Sequence, residues 1–424
     1  MSAPVTVGIE KLVYGGEGLA LVDGQVLLVP FVLPGERISV ATHPVKSGLL
    51  RGSSPQIIEA APERTRPRCE YFANCGGCHY QHAEYAFELE QKRTILRETL
   101  NRFGGIAYEG EIDVINATPW YYRNRIQLHF KNRNSGFRKA ESHDLCPITH
   151  CEISSPVLNE AISKLQWAAK QPQWPEFLRS LEVFTNEVEI QLNVSETLRP
   201  LAARFFTWCS TFLSGFAPGA IEYGVGGHRL RISRGSFFQV NRFLIDALIE
   251  EVLGEAQGTH ALDLYAGVGL FSLPLSNRFR MVDAVERSAP AYRDLEWNAI
   301  QSGANIRAVN ESTEDFLKPL TDAPDLIVAD PPRAGLGRDT TAELLRLSAP
   351  QLNLVSCDPA TLARDMRKLL TQYRIRRLTL IDLFPRTYHF ETIAHLELKH
   401  PERQYRMTGN ADVEKARPSL SISG

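Results

Sequence analysis

The residues of this chain best suited to covalent chemistry are a thiol and two carboxylates that follow short apolar runs. Cys357 lies in the polar turn Ser356-Cys357-Asp358-Pro359, at the end of the run 352–356. A cysteine inside a core is a small hydrophobe, whereas one in a polar turn is open to deprotonation and attack on a substrate. Asp330 opens Asp330-Pro331-Pro332-Arg333 after the run 325–329. Glu391 stands in the polar segment 384–392, between the strand-like runs 378–383 and 393–398, with His389 nearby as a competing base. A thiolate with a carboxylate base suits a weakly nucleophilic ring carbon. Carbon 5 of a pyrimidine accepts a methyl group poorly, but thiolate addition at carbon 6 makes it electron-rich. A base must then remove the carbon 5 proton so that the thiolate can leave. Such a pyrimidine has to be single-stranded or flipped out, because a helix hides its ring faces.

A methyl donor is implied by a second group of residues. The run 261–265 enters Ala266-Gly267-Val268-Gly269-Leu270, a strand ending in a glycine turn that opens a helix, where backbone can approach a ligand closely. Glu286 closes the next strand, where a carboxylate accepts both ribose hydroxyls of an adenosine. The third glycine of a dinucleotide site would fall at Ser272, which counts against NAD, and no phosphate-cradling lysine follows to indicate ATP. S-adenosylmethionine, with adenine and ribose but no phosphate, fits best. Enzymes that methylate exocyclic amines place an aromatic residue after their Pro-Pro pair. Arg333 stands there, which favours chemistry that needs a thiolate.

Cysteines also cluster elsewhere. Cys69, Cys75 and Cys78 lie within ten residues, and Cys146 and Cys151 follow much later. Three thiols and a distant fourth can hold zinc or an iron–sulfur cluster, and spacing alone does not separate the two. Cys75-Gly76-Gly77-Cys78-His79 matches the haem-attachment pattern, but that reading needs export, and no basic-then-apolar leader opens the chain.

These residues need elements to hold them. From about residue 259, short apolar strands (261–265, 281–285, 325–329, 352–356) alternate with helix-like segments, the pattern of an open, mostly parallel α/β sheet whose ligands gather beyond the carboxyl ends of its strands. Residues 5–60 alternate apolar and polar positions (Val5, Val7, Ile9, later Val26, Leu28) between glycine turns and read as a small antiparallel barrel. An amphipathic helix is expected over 84–103, with Leu89, Leu96, Leu100 and Phe103 on one face, its charges solvated, and Gly104-Gly105 as its stop. The region 112–240 is mixed. The expected divisions are 1–62, the small β-barrel; 63–235, a central α+β cysteine-cluster and RNA-binding domain; 236–404, a Rossmann-like methyltransferase domain; and 405–424, a polar tail.

At 424 residues the chain is long enough for two or three cores. Its 47 basic and 49 acidic residues leave a formal charge of −2, so any polyanion site must be local. One candidate is the stretch 117–140, which holds Arg123, Arg125, Lys131, Arg133, Arg138 and Lys139 and no acid. Trp120, Tyr121, Tyr122, Phe130 and Phe137 are interleaved with them as stacking faces for unpaired bases. The longest apolar run, 26–34, is about half of what a membrane span needs. A cytoplasmic location without membrane attachment is expected, and no obligatory protein partner is implied.

In six motifs the sequence resembles the iron–sulfur, TRAM-containing RNA uracil-5-methyltransferases that act on 23S rRNA. The motifs are Val13-Tyr14-Gly15-Gly16-Glu17-Gly18; the cysteine loop; Phe237-Phe238-Gln239-Val240-Asn241; Asp330-Pro331-Pro332-Arg333-Ala334-Gly335; Ser356-Cys357-Asp358-Pro359-Ala360-Thr361-Leu362; and His389-Phe390-Glu391. The resemblance spans about residues 5–400. It implies Cys357 as nucleophile and Glu391 as the base that takes the carbon 5 proton. It implies Gln239, Tyr265, Leu270, Glu286, Glu311 and Asp330 around S-adenosylmethionine, and a [4Fe–4S] cluster on Cys69, Cys75, Cys78 and Cys146, structural or RNA-positioning in role. Cys151 and Cys209 are left as core residues. Ala266 stands where several members have Cys, and Asp358 where many have Asn. The implied product is 5-methyluridine in 23S rRNA. A transfer-RNA enzyme of the same fold and a non-catalytic RNA-binding iron–sulfur protein are the competing readings.

Overall fold

The computed structural model describes residues 4–46 and 48–399. The expected tail 405–424 lies outside the described residues. Six strands open the chain: Val5–Gly8, Lys11–Val13, Glu17–Val22, Gln25–Pro30, Arg37–Lys46 and Leu49–Glu59. They form one sheet in the order first, fifth, sixth, fourth, third, second, around a core that includes Ile9, Leu27, Val29, Val32, Ile38 and Val40. Leu27 and Val29 face that core, one position out of phase with the expected Val26 and Leu28. Four consecutive apolar residues leave the phase of a strand undetermined, and the turn at Gly24 decides it. Gly18 has no room for a side chain, since a Cβ there would meet Val32 at 2.5 Å.

The helix Tyr85–Gly104 ends as expected, on Gly105 at φ 64°. Its buried face is not the expected one. Ile95, Leu96 and Leu100 are inside, but so are Glu88 and Lys92, while Phe103 is 54% exposed. A second six-stranded sheet carries Leu145–Pro147, Asn134–Arg138, Arg125–Lys131, Leu178–Thr185, Ile190–Thr197 and Phe216–Ala217 in that spatial order, with Pro156–Ala168 packed against it.

The largest sheet has eight strands, ordered Ile306–Val309, Phe279–Val285, Gly258–Leu264, Leu326–Ala329, Gln351–Ser356, Glu391–Leu398, Tyr373–Ile381 and Ile112–Ile115. The first five are mutually parallel, and Glu391–Leu398 runs antiparallel to both its neighbours. The α/β reading of this region therefore holds, with one antiparallel insertion. That insertion matters for the site, because Glu391 begins its strand opposite Ile381, and Thr392 pairs with Ser356. The start of the antiparallel strand thus shares an edge with the ends of the parallel ones.

Residues 63–235 do not form one layer. Tyr85–Gly104 lies on the helix Pro359–Leu369, and Ile112–Ile115 is the outer strand of the eight-stranded sheet. A four-residue strand does not reveal from local pattern which sheet it joins. Among the described residues no helix is long and apolar enough to cross a membrane.

Candidate active site

The carboxyl edge of the eight-stranded sheet opens into a cleft of about 1350 Å³. Tyr265, Glu286, Asp330, Arg333, Cys357, His389 and Glu391 all line it. Topology accounts for this gathering: each of these residues sits at the edge where parallel strands end and the antiparallel one begins.

The turn after Gly258–Leu264 is strained at Tyr265, a non-glycine residue at φ 63°. At Gly267, with φ 58°, a Cβ would meet nothing within 4 Å, so the backbone there stays open. The Gly267 N–H donates to Glu286 Oε2 at 2.9 Å, and the Ser288 N–H donates to Oε1 at 2.5 Å. Two backbone donors fix that carboxylate while it still lines the cleft. Gly269 serves packing instead, because a Cβ there would approach Leu273 to 2.9 Å. Beneath the turn, buried Asp263 accepts from the Ser272 hydroxyl, and burial pushes its carboxyl up to about 7.

Opposite lies a set of groups with little compensation. Burial pushes Asp330 up to about 7. Glu391 is 7% exposed, its Oε2 has no hydrogen-bond partner, and burial together with the Asp330 charge drives its carboxyl well above the ordinary range. Cys357 is pushed up to about 11, by burial first and then by the Glu391 charge, with Arg333 acting in the opposite direction. The resting group is therefore a thiol, and Arg333 is a cation placed to favour its thiolate. His389 differs. Its two ring nitrogens lie 2.9 and 3.0 Å from Arg333 Nη2, and burial and that guanidinium lower its pKa to about 3. Of the two candidate bases, Glu391 is by far the more basic.

Three expected cofactor residues are not in the lining. Gln239 and Leu270 are buried, 6% and 8% exposed, and Glu311 is exposed just before the lining residues Ser312, Thr313 and Glu314.

A second cavity, about 900 Å³, lies between the N-terminal and central sheets, and Gly76, Gly77, His79 and Arg123 line both it and the cleft. Cys69, Cys75, Cys78 and Cys151 line it, and the first three each feel the Cys151 thiol electrostatically. Cys146, the expected fourth donor, is not in that lining, although its charge is felt at Cys75. It is fully buried in the strand Leu145–Pro147, on the core face, where Asn74 Nδ2 donates to its sulfur at 3.4 Å. The four cavity thiols surround a space without converging on a point, and no group of three or more His, Cys, Asp or Glu among the described residues is arranged to hold a metal ion.

The family described as tRNA (uracil-5-)-methyltransferase matches residues 323–399, the part that carries Asp330, Cys357 and Glu391. Over nearly the whole chain, the sequence is 32% identical to an uncharacterized RNA methyltransferase of Thermotoga maritima, covering 92% of this chain and 98% of that protein. The chain belongs to the RNA uracil-5-methyltransferase family. Among the relatives of this methyltransferase is the 23S rRNA (uracil(1939)-C(5))-methyltransferase RlmD of Halomonas elongata, 29% identical over 95% of this chain and 90% of that one. Among solved structures, the Pyrococcus abyssi tRNA (uracil-54, C5)-methyltransferase in complex with S-adenosyl-L-homocysteine is similar, with TM-score 0.74 and 25% identity, covering 92% of this chain and all of that one.

In the methyltransferase, the stretch 117–140 serves the fold more than its composition suggests. Tyr122 is fully buried with its hydroxyl on Pro385 O at 3.0 Å, and Phe130 packs on Trp174. Trp120 lies between the guanidinium groups of Arg68 and Arg386, at 5.3 and 4.8 Å. Arg125 is buried and bound to Glu182 and Ser236 O. Alternation along Arg125–Lys131 turns Phe130 inward, while Trp120, Tyr121 and Phe137 stay half-buried and Phe137 lines the second cavity. Arg133, Arg138 and Lys139 stay exposed, and Arg123 and Lys139 line the second cavity. Sequence reasoning missed Asp263, and it left unassigned Asn241, whose Nδ2 donates to Leu383 O at 3.2 Å and holds the segment before Glu391. An amide in an apolar motif was the signal for the second; the first was hidden in an apolar strand.

Proposed function

We propose that the enzyme transfers a methyl group from S-adenosylmethionine to carbon 5 of a uridine in 23S ribosomal RNA, forming 5-methyluridine. The observation that carries this reading is the buried, unpaired Glu391 Oε2 beside Cys357 and Asp330 in one cleft. After losing its proton to solvent, Cys357 Sγ forms a bond to carbon 6 of the uracil, and the ring electrons move to carbon 5 and the carbon 4 oxygen. When bound, S-adenosylmethionine would supply the electrophilic methyl group, which carbon 5 takes as the sulfonium–methyl bond breaks. Glu391 then takes the carbon 5 proton, the double bond re-forms, and the carbon–sulfur bond breaks to restore the thiolate. Asp330 stands beside the uracil edge. Glu286 receives the cofactor ribose, with Tyr265 at the adenosine side and Gln239, Leu270 and Glu311 as supporting positions. The chain divides functionally into an N-terminal TRAM-like module, a central RNA-binding region and the catalytic domain, and the enzyme works in the cytoplasm.

A [4Fe–4S] cluster fits the second cavity by donor chemistry, since thiolates are its ordinary ligands. Cys69, Cys75 and Cys78 would hold it with Cys151, the thiol that shares their cavity. There it would brace the wall common to both cavities. Iron and acid-labile sulfide in anaerobically purified protein, retained in Cys146→Ser and lost in Cys151→Ser, is the expected result. Stoichiometric zinc without iron would overturn it.

The similarity to a tRNA enzyme of known structure supports a second reading, the same chemistry on transfer RNA. Nucleoside mass mapping of both RNA classes from a strain lacking the gene decides between them. The expected result is one 5-methyluridine missing from 23S rRNA and transfer RNA unchanged; loss of neither would favour a non-catalytic RNA-binding protein.

A further inference from the structure

Tyr14 belongs to the turn after Lys11–Val13 in the N-terminal sheet, yet its hydroxyl donates to the backbone carbonyl of Cys357 at 3.1 Å. Its ring stands edge-on to Tyr388 and Phe390, with centroids 5.4 and 5.8 Å away, and Phe390 is the residue before Glu391. The same turn meets the cysteine loop: Gly16, at φ +89°, lies where a Cβ would come within 3.0 Å of His79 Cβ. His79 in turn donates its N–H to Arg386 O at 2.7 Å and sets its ring 4.7 Å from Tyr388. Burial keeps the Tyr14 phenol protonated, so it remains a donor. Tyr14 lines the second cavity and not the cleft, so its contacts are with the protein.

These contacts place one side chain on both the nucleophile turn and the segment that carries the base. We propose that Tyr14 is a positioning residue: its hydroxyl fixes the Cys357 main chain, and its ring fixes the 388–390 segment, so that sulfur and carboxylate keep their register. The N-terminal sheet then completes the active site in addition to any role in docking RNA. The inference rests on Cys357 being the nucleophile.

The test is tritiated methyl transfer from S-adenosylmethionine into ribosomal RNA isolated from a strain lacking the gene, using the full chain. Tyr14→Phe removes the hydroxyl and keeps the ring. A neutral hydrogen bond is worth about 0.5–1.5 kcal/mol, so kcat should fall roughly two- to tenfold. KM for RNA and cofactor affinity by calorimetry should stay within about twofold of the parent. Tyr14→Ala, which also removes the ring, should lower kcat further. An unchanged kcat in Tyr14→Phe overturns the inference, and so does a loss matched by an equal loss of cofactor affinity, which marks general loosening. Cys357→Ala separates the two levels of argument. If that variant is inactive, the Tyr14 result stands or falls by itself; if it still transfers methyl, the nucleophile reading fails and this inference fails with it.

Discussion

The segment 382–391 has two faces, and they treat buried charge in opposite ways. On the helix side, Lys92 Nζ lies 2.8 Å from both Glu88 Oε1 and Asp382 Oδ1, all three fully buried. Tyr85 donates to Asp382 at 2.9 Å, and the Arg386 N–H donates to Glu88 at 2.8 Å. Charges there are matched and hydrogen-bonded, as a buried network must be to persist. On the cleft side, Glu391 has an unpaired oxygen, Asp330 lies near it, and the cation at hand, Arg333, is exposed and shared with His389. Carboxylates of one kind, a few residues apart, thus hold a loop on one face and await a substrate on the other. Burial alone does not mark a functional group; burial without a partner does.

If that contrast is sound, Glu391→Gln and Lys92→Met should have opposite signatures. Glu391→Gln removes the base and should lower single-turnover methyl transfer by about 10²–10⁴-fold, leaving a covalent RNA–protein adduct that survives denaturing electrophoresis. Its stability should equal or exceed that of the parent. The folded pKa of Glu391 is raised, so its favourable term is complete below the unfolded value near 4 and is lost as pH rises through the folded value. The gain in the glutamine variant should therefore emerge above about pH 5 and grow towards neutrality. Lys92→Met instead leaves Asp382 buried without its cation and Glu88 with Arg386 alone, and should cost about 3–5 kcal/mol in denaturant unfolding. Equal losses of stability in the two variants would erase the distinction between the faces.

How much of this was legible in the sequence depends on how far apart the partners are. Strand ends and the glycine turn were readable, because a parallel sheet sends Tyr265, Glu286, Asp330 and Cys357 to one edge whatever the loops do. Glu391 was placed by resemblance and chemistry; only pairing of its strand with Gln351–Ser356 explains why it arrives at that edge. Glu88 and Lys92, four residues apart, look like a solvated helical ion pair. Asp382, the partner that makes them a core network, lies 290 residues beyond Lys92. Cys146 and Cys151 are similarly indistinguishable by type, and a three-residue strand turning Cys146 inward separates them. Tyr122 and Phe130 of 117–140 are buried for the same reason, since composition does not report which face of a strand is covered.

Among the charged groups of the two faces the smallest effect should come from Arg333, and it sharpens the comparison because it asks whether partial compensation on the cleft side tunes the nucleophile. Arg333 lowers the Cys357 thiol, which burial still holds at about 11 against that charge, and it also lowers Glu391. Both acting forms, thiolate and carboxylate, are deprotonated, so the parent rate should rise with pH across 7–10 with no acid-side optimum. In Arg333→Gln both groups lose a stabilising charge, both pKa values move up, and the rising limb shifts to higher pH. Because the guanidinium is exposed and screened, the displacement of the thiol should be about one unit, near the low end for a neighbouring charge, which is roughly a tenfold loss of thiolate at pH 8. Iodoacetamide labelling of the Cys357 peptide, followed by mass spectrometry over the same pH range, isolates the thiol from the carboxylate. A labelling profile that does not move would mean that Arg333 serves His389 and the substrate alone, leaving the cleft face without charge compensation.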